Sequence, residues 1–326
     1  MPTFTIESLA AALGATFEGD GSLAVSRVAH PDEASVSGTI AIATSAEFTA
    51  KLKGATAAVL SEGTDWQALG LKAAVFVDRP RYALSGVTTA FAHEIRLAPG
   101  IHPSAIIEDG AEIGEDTDIG PFVHIGAGAK IGAGSRILSH VSIGAEARIG
   151  EGALIHSGAR IAGGGSTSGT QNTSLARIHS LGAVTLGDDV EIGACTSIDR
   201  GTLTDTRIGN GTKLDNQVQV GHNVQIGATC MLCAQVGIAG SSKVGDRVVL
   251  GGKVGVADHV EIGSDVLVGA ASAVATNIPS RNIMMGVPAV KRDEALRGVM
   301  ALRRLPRLFD TVAALKKRLS ALDGER

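Results

Sequence analysis

Residues 119–137 read Ile119-Gly120-Pro121-Phe122-Val123-His124-Ile125-Gly126-Ala127-Gly128-Ala129-Lys130-Ile131-Gly132-Ala133-Gly134-Ser135-Arg136-Ile137, with isoleucine at every sixth position. The spacing starts at Ile101 and continues through Ile107, Ile113 and on to Ile143, Ile149, Ile155 and Ile161, eleven isoleucines without a break. The ladder then stops, resumes as Leu186, Ile192 and Ile198, and slips by four residues. A last run of twelve aliphatic residues goes from Ile208 through Leu214, Val220, Ile226, Leu232, Ile238, Val244, Leu250, Val256, Ile262 and Val268 to Val274.

A six-residue period matches neither a 3.6-residue helix nor a period-2 strand. It is the signature of a hexapeptide β-helix, in which each repeat supplies one short strand and one turn. The chain is therefore predicted to be mainly β. The aliphatic residue points inward, and three rungs close one triangular coil, so residue i stacks on i+18 about 4.8 Å away. The ladder's 26 rungs make between eight and nine coils. Glycine often follows the aliphatic residue, as at Gly114, Gly126, Gly209 and Gly221. It is expected there because the backbone turns where a side chain would be strained.

Composition agrees with a narrow aliphatic core: 44% of residues are hydrophobic but only 3% aromatic. A formal charge of −4 gives no basic field for nucleic acid. The start, Met1-Pro2-Thr3-Phe4-Thr5, lacks the features of a signal peptide, and no apolar run is long enough to span a membrane. Cytoplasm is the default expectation. Three cysteines, Cys195, Cys230 and Cys233, are too few for a disulfide framework.

The flanks of the ladder differ from it. Residues 1–97 are expected to form an α/β domain, 98–280 the β-helix and 281–326 a helical extension. In the first segment, Thr5 and Gly14 cap a short helix from Ile6 to Leu13. Strand-like runs follow at Leu23–Val28, Ile40–Ala43, Ala57–Leu60 and Ala73–Val77, then a helix over Tyr82–His93. Gly163 to Thr170 is turn chemistry, expected to leave the coil as a flexible loop. In the tail, Pro306 is expected to separate two helices. Leu308, Val312, Leu315, Leu319 and Leu322 form an a/d seam suited to partner subunits. Arg303, Arg304 and Arg307 belong to a basic patch, read either as a solvated helix face or as a dock for an acidic partner.

The chemistry-bearing residues concentrate in the last run. No nucleophile elbow or phosphate loop is present, and Cys230-Met231-Leu232-Cys233 is a lone CxxC around a core rung. His124, His140 and His156, spaced by 16, drift across the coil and do not converge on a metal. His222 lies two residues after the inward Val220, in a stretch rich in hydrogen-bonding side chains. Counting by coils stacks it on Gly240, which leaves space and an accessible N–H. Asn223, Ser241 and His259 share the adjoining column. A chance turn histidine is the bland alternative.

Ile192-Gly193-Ala194-Cys195-Thr196-Ser197-Ile198-Asp199-Arg200-Gly201, with Lys213-Leu214-Asp215-Asn216-Gln217 and Gly221-His222-Asn223, resembles the UDP-3-O-acylglucosamine N-acyltransferases of lipid A synthesis. The resemblance extends to the order of the three segments. It implies a left-handed parallel β-helix and a homotrimer, with transfer of a 3-hydroxyacyl group from acyl carrier protein to the 2-amine of a UDP-3-O-acylglucosamine. By position, His222 matches the general base, Asp215 the carboxylate that orients it and Gly240 the oxyanion amide. His259 matches a diphosphate contact, and Asn223 a substrate-binding position. The uridine pocket aligns with Ile40 to Phe48: Phe48 keeps one ring, while Ile42 and Ser45 replace an aromatic residue and an asparagine. Ala273 and Ala275 are expected to line the acyl groove, and the basic tail to receive the carrier protein. No metal or cofactor is implied. The rival readings are a hexapeptide acyltransferase using acyl-CoA, and a non-catalytic ligand-binding scaffold.

Overall fold

The computed structural model describes residues 2–52, 54–92, 97–164, 167–171, 174–286 and 291–323. His93, Gly165 and Ser166, which figure in the expectations above, lie outside them. The chain divides into two compact units, Met1–Arg96 and Leu97–Arg326.

The second unit is the left-handed parallel β-helix. Its strands stack into three faces of nine, nine and eight strands. Along one coil, Leu214 belongs to the first face, Val220 to the second and Ile226 to the third. Every strand pairs in parallel with the next coil, as Val220 with Ile238 and Ile238 with Val256. Ile137, Ile143, Ile155, Val220 and Leu232 are completely buried. Each such side chain contributes roughly 1.5–3 kcal/mol. A second inward position lies two residues before each aliphatic rung and takes small side chains. Buried hydroxyls there close the corners: Thr212 donates to the Gly227 carbonyl at 2.8 Å and accepts from the Cys230 N–H at 3.0 Å. Cys230 does the same work, its thiol donating to the Gly245 carbonyl at 3.0 Å.

The glycines follow a different rule from the one expected. Left-handed backbone occurs three residues after the inward aliphatic residue, and mostly without glycine: Gln217, Asn223, Ser241 and His259 have φ of 58, 62, 62 and 56°. The glycine directly behind the aliphatic residue is needed for close approach instead. A Cβ on Gly126 would lie 2.5 Å from the Ala145 nitrogen of the next coil.

The ladder is interrupted twice, both times between the second and third faces. After Ile161, Thr167–Gln171 pairs antiparallel with Ser174–Ile178, so the expected loop contains a β-hairpin. After Ile198, four extra residues precede Ile208. The two departures touch: the Leu181 N–H donates to the Thr202 carbonyl at 2.7 Å, and the Gly182 N–H to the Gly201 carbonyl at 2.9 Å. The tail is one helix, Arg292–Asp323, which runs through Pro306. Proline removes a single hydrogen bond, and its leucine and arginine neighbours sustain the helix on either side. All of 291–320 is exposed, and the Leu322 side chain lies outside the description.

The first unit is a five-stranded sheet in the order Thr16–Gly19, Ala73–Val77, Ala57–Ser61, Thr39–Ile42, Arg27–Ala29. Only Thr16–Gly19, which the sequence reading lacked, runs antiparallel to its neighbour. The helices Ile6–Leu13 and Pro80–Phe91 contribute Ile6, Leu9 and Val87 to the core on one side of the sheet. Leu52, Leu60 and Phe76 belong to the other core cluster.

Candidate active site

His222 sits at the corner between the second and third faces, one coil beyond the four-residue insertion. Its ring lies against Gly240: a Cβ added there would stand 2.6–3.1 Å from three of the imidazole atoms. Glycine is therefore required by the imidazole itself. Among the described residues no acceptor takes the Gly240 N–H. The His222 carbonyl accepts from the Ser241 N–H at 2.9 Å, and the Gly240 carbonyl from the His259 N–H at 3.2 Å. The stacking counted from the sequence thus holds, and His259 stands exposed at the next coil of the same corner.

The partners of the imidazole come from the coil before it and from its own neighbour in sequence. Nδ1 lies 3.0 Å from Asn223 Oδ1 and 3.4 Å from Thr202 Oγ1. Asp199, which stacks one coil before Gly221, is partly buried and accepts from Gln219 Nε2 at 3.2 Å. Burial pushes its carboxyl above the ordinary value, against the lowering pull of the Gln219 amide and of His222. Asp215 is elsewhere. It follows Leu214 at the corner between the first and second faces, and its oxygens accept from the Asn216 N–H at 2.7 Å and the Ala234 N–H at 3.1 Å. Asp215 therefore joins coils and sits at a different corner from His222. Thr202, Asp199 and Gln219 escaped assignment from sequence, although the four-residue slip marked the place.

Beside this corner the second face is unusually smooth. Gln219, Gly237, Gly255 and Ala273 succeed one another along its outer side, edged by Ala239, Ala257 and Ala275. They line an apolar groove of about 470 Å³. Ala273 and Ala275 lie in it as expected. Gly237 and Gly255, whose missing side chains leave open space, were not foreseen. The groove runs from Gln219, the residue that holds Asp199, towards the last coils. The corner can accordingly supply a base, a free N–H donor and an apolar trough.

The remaining candidates lie apart. In the first unit, Ser45 is an exposed N-cap without a side-chain capping bond. Phe48 is half-buried, with His30 edge-on at 5.2 Å and Lys51 Nζ 5.3 Å from its ring centre. Arg303, Arg304 and Arg307 are exposed on the tail helix. His124 and His156 bond Glu108 and Glu191 at 3.0 and 2.9 Å. No cluster able to hold a metal occurs among the described residues, and no described helix is long and apolar enough to cross a membrane.

Comparison with known proteins gives the same architecture a family. The model of bacterial transferase hexapeptide repeats matches residues 128–163 and 205–240, skipping the two interruptions of the ladder. The solved UDP-N-acetylglucosamine O-acyltransferase from Moraxella catarrhalis is 30% identical, with a TM-score of 0.53 over 61% of this chain and 77% of that one. The Francisella novicida UDP-N-acetylglucosamine acyltransferase is 28% identical, with a TM-score of 0.54 over 61% and 72%. The chain belongs to the hexapeptide-repeat acyltransferase family. Among curated relatives, the UDP-3-O-acylglucosamine N-acyltransferase of Paracoccus denitrificans is 50% identical over 106 residues, 32% of this chain. The enzyme of that name from Ruegeria pomeroyi is 43% identical over 114 residues, 34% of this chain. These matches span 29% and 31% of the two relatives' lengths.

Proposed function

We propose that the protein is an N-acyltransferase of lipid A synthesis, moving a 3-hydroxyacyl group from acyl carrier protein to the 2-amine of UDP-3-O-(3-hydroxyacyl)glucosamine. The observation that carries this reading is the His222 imidazole packed on Gly240 at the mouth of an apolar groove. His222 Nε2 takes the proton of the attacking amine, which adds to the thioester carbonyl. A positioned base of this kind is worth roughly 10²–10⁴ in rate. The unpaired Gly240 N–H receives the developing oxyanion; the tetrahedral adduct then collapses, the C–S bond breaks, and His222 returns the proton to the departing carrier thiolate. The acyl chain lies along Gly237, Gly255 and Ala273. No covalent enzyme intermediate or metal enters these steps. His259 meets the diphosphate one coil on, and Ser45 and Phe48 belong to the uridine pocket. Assembly as a homotrimer is part of the proposal. Asp215 sits at a different corner from His222, so its orienting role requires the corner of a neighbouring subunit.

The test is a matrix of donors and acceptors. Acyl carrier protein and coenzyme A thioesters are each offered UDP-3-O-acylglucosamine and UDP-N-acetylglucosamine. Turnover confined to the carrier-protein donor and the amine acceptor is expected. Transfer from coenzyme A alone favours the rival acyltransferase, and no transfer at all favours a binding scaffold. His222→Ala should lose at least about two orders of magnitude in turnover while remaining folded, because His222 lies outside the aliphatic core. A rate within a few-fold of wild type would remove it from the role.

A further inference from the structure

We propose that the four-residue insertion in the ladder, acting through Asn223, fixes the His222 imidazole as its Nδ1–H tautomer and leaves the lone pair on Nε2. The Asn223 amide is oriented by two groups that cannot exchange roles. The Thr202 backbone N–H can only donate, and it meets Oδ1 at 3.1 Å. The Thr204 carbonyl can only accept, and it takes Nδ2 at 2.9 Å, with Thr204 Oγ1 at 3.0 Å. Hence the atom facing His222 Nδ1 at 3.0 Å is the amide oxygen. An amide oxygen only accepts, so Nδ1 carries the hydrogen. Thr202 Oγ1, 3.4 Å away, is a rotor that follows. Nε2 is left bare beside Gly240, where a Cβ would stand 2.7 Å from it. Free histidine in water favours the opposite tautomer, so the clamp reverses the default.

The insertion is itself held at both ends. A Cβ on Gly201 would collide with the Thr204 carbonyl, so glycine permits the tight turn. Asp205 accepts from the Ala183 N–H at 2.9 Å and from Thr185 Oγ1 at 3.2 Å. The Asn223 N–H is engaged by Thr206 Oγ1 at 2.9 Å, and asparagine tolerates the φ of 62°. Asn223 is thus a positioning residue. Its effect on turnover rests on the reading of His222 as the base; the tautomer does not.

The test uses the full chain with ¹⁵N-labelled histidine at about pH 9, above the ordinary imidazole range. The His222 signals are identified by their loss in His222→Gln. Protonated Nδ1 and bare Nε2 are expected. Asn223→Gly suits the left-handed backbone and removes only the clamp; its spectrum should move to Nε2–H, and turnover should fall about tenfold, with little change in KM. Asn223→Asp keeps an acceptor for Nδ1–H and should retain the tautomer in the same spectrum. A wild-type imidazole protonated on Nε2, or an unchanged spectrum in Asn223→Gly, overturns the proposal. If the spectrum changes as expected while Asn223→Gly and His222→Ala keep full activity, the clamp stands and the reading of His222 as base fails.

Discussion

At the scale of single residues, Asp199 shows how a site can be held against its own stability. Its folded pKa is raised by burial. Such a carboxyl favours folding while protonated, below the ordinary carboxylate range, and that contribution is lost as pH rises through the raised value. At neutral pH the buried charge is a burden. Asp199→Asn should therefore unfold at an equal or higher temperature than wild type at pH 7. The advantage should vanish below about pH 4, where both side chains are neutral. Thermal unfolding at the two pH values checks this; a variant that is less stable at pH 7 and equal in acid would reverse the sign. The residue scale is also where the sequence was hardest to read. His222 and Gly240 could be paired by counting eighteens, because coil stacking is a property of the period. Asp215 could not be placed by that count alone. Two residues that are close in sequence sit at different corners, and similarity of motif says nothing about which corner faces which. The clamp on Asn223 was invisible for another reason: its partners lie in the four residues where the period fails.

At the scale of the strand and its turn, the six-residue unit was legible in its large aliphatic rung, and the chemistry of its other positions was not. Glycine was expected to serve the turn, but the turn uses residues such as Asn223 and His259. A pair of substitutions separates the two demands. Gly128 has φ of 67°, and a Cβ there would meet only Glu146 Cγ at an ordinary 3.9 Å, so Gly128→Ala should cost only the left-handed strain, roughly 1–2 kcal/mol. Gly126→Ala forces a methyl to within 2.5 Å of the neighbouring backbone. It should cost the upper part of the roughly 1–3 kcal/mol typical of overpacking, or more. Urea unfolding of both variants is the measurement, and a milder effect at Gly126 would contradict the close-approach account. The same outward positions build the groove. Ala273→Met and Ala275→Met place bulk at its far end, where each buried CH₂ of a long acyl chain is worth about 0.8 kcal/mol. The variants should prefer shorter donors in a competition assay, and an unchanged length profile would show that the chain lies elsewhere.

For the whole molecule, the proposed docking of a carrier protein on the exposed tail helix separates its recognition from chemistry. Reversing Arg303, Arg304 and Arg307 to glutamate should raise the KM for an acidic carrier-protein donor while leaving kcat nearly unchanged. The wild-type rate should decline with salt, since rim charges act on encounter. A donor KM indifferent to both changes would return these arginines to a solvated face. The six-residue period set the ladder apart from its flanks, and Pro306 misled because one missing hydrogen bond does not end a 32-residue helix. The stacking of the coils has one more consequence. A solenoid resists opening coil by coil, each leaning only on its two neighbours, so it unravels from its ends like a spring paid out by hand. On the second face, three strands lie beyond Gln219–Val220 towards the C-terminal end and five on the other side. Fraying must consume several coils before it reaches His222. Amide exchange should therefore form a gradient, quickest at the terminal coils and slowest in the interior, with the His222 corner kept inside the slow zone.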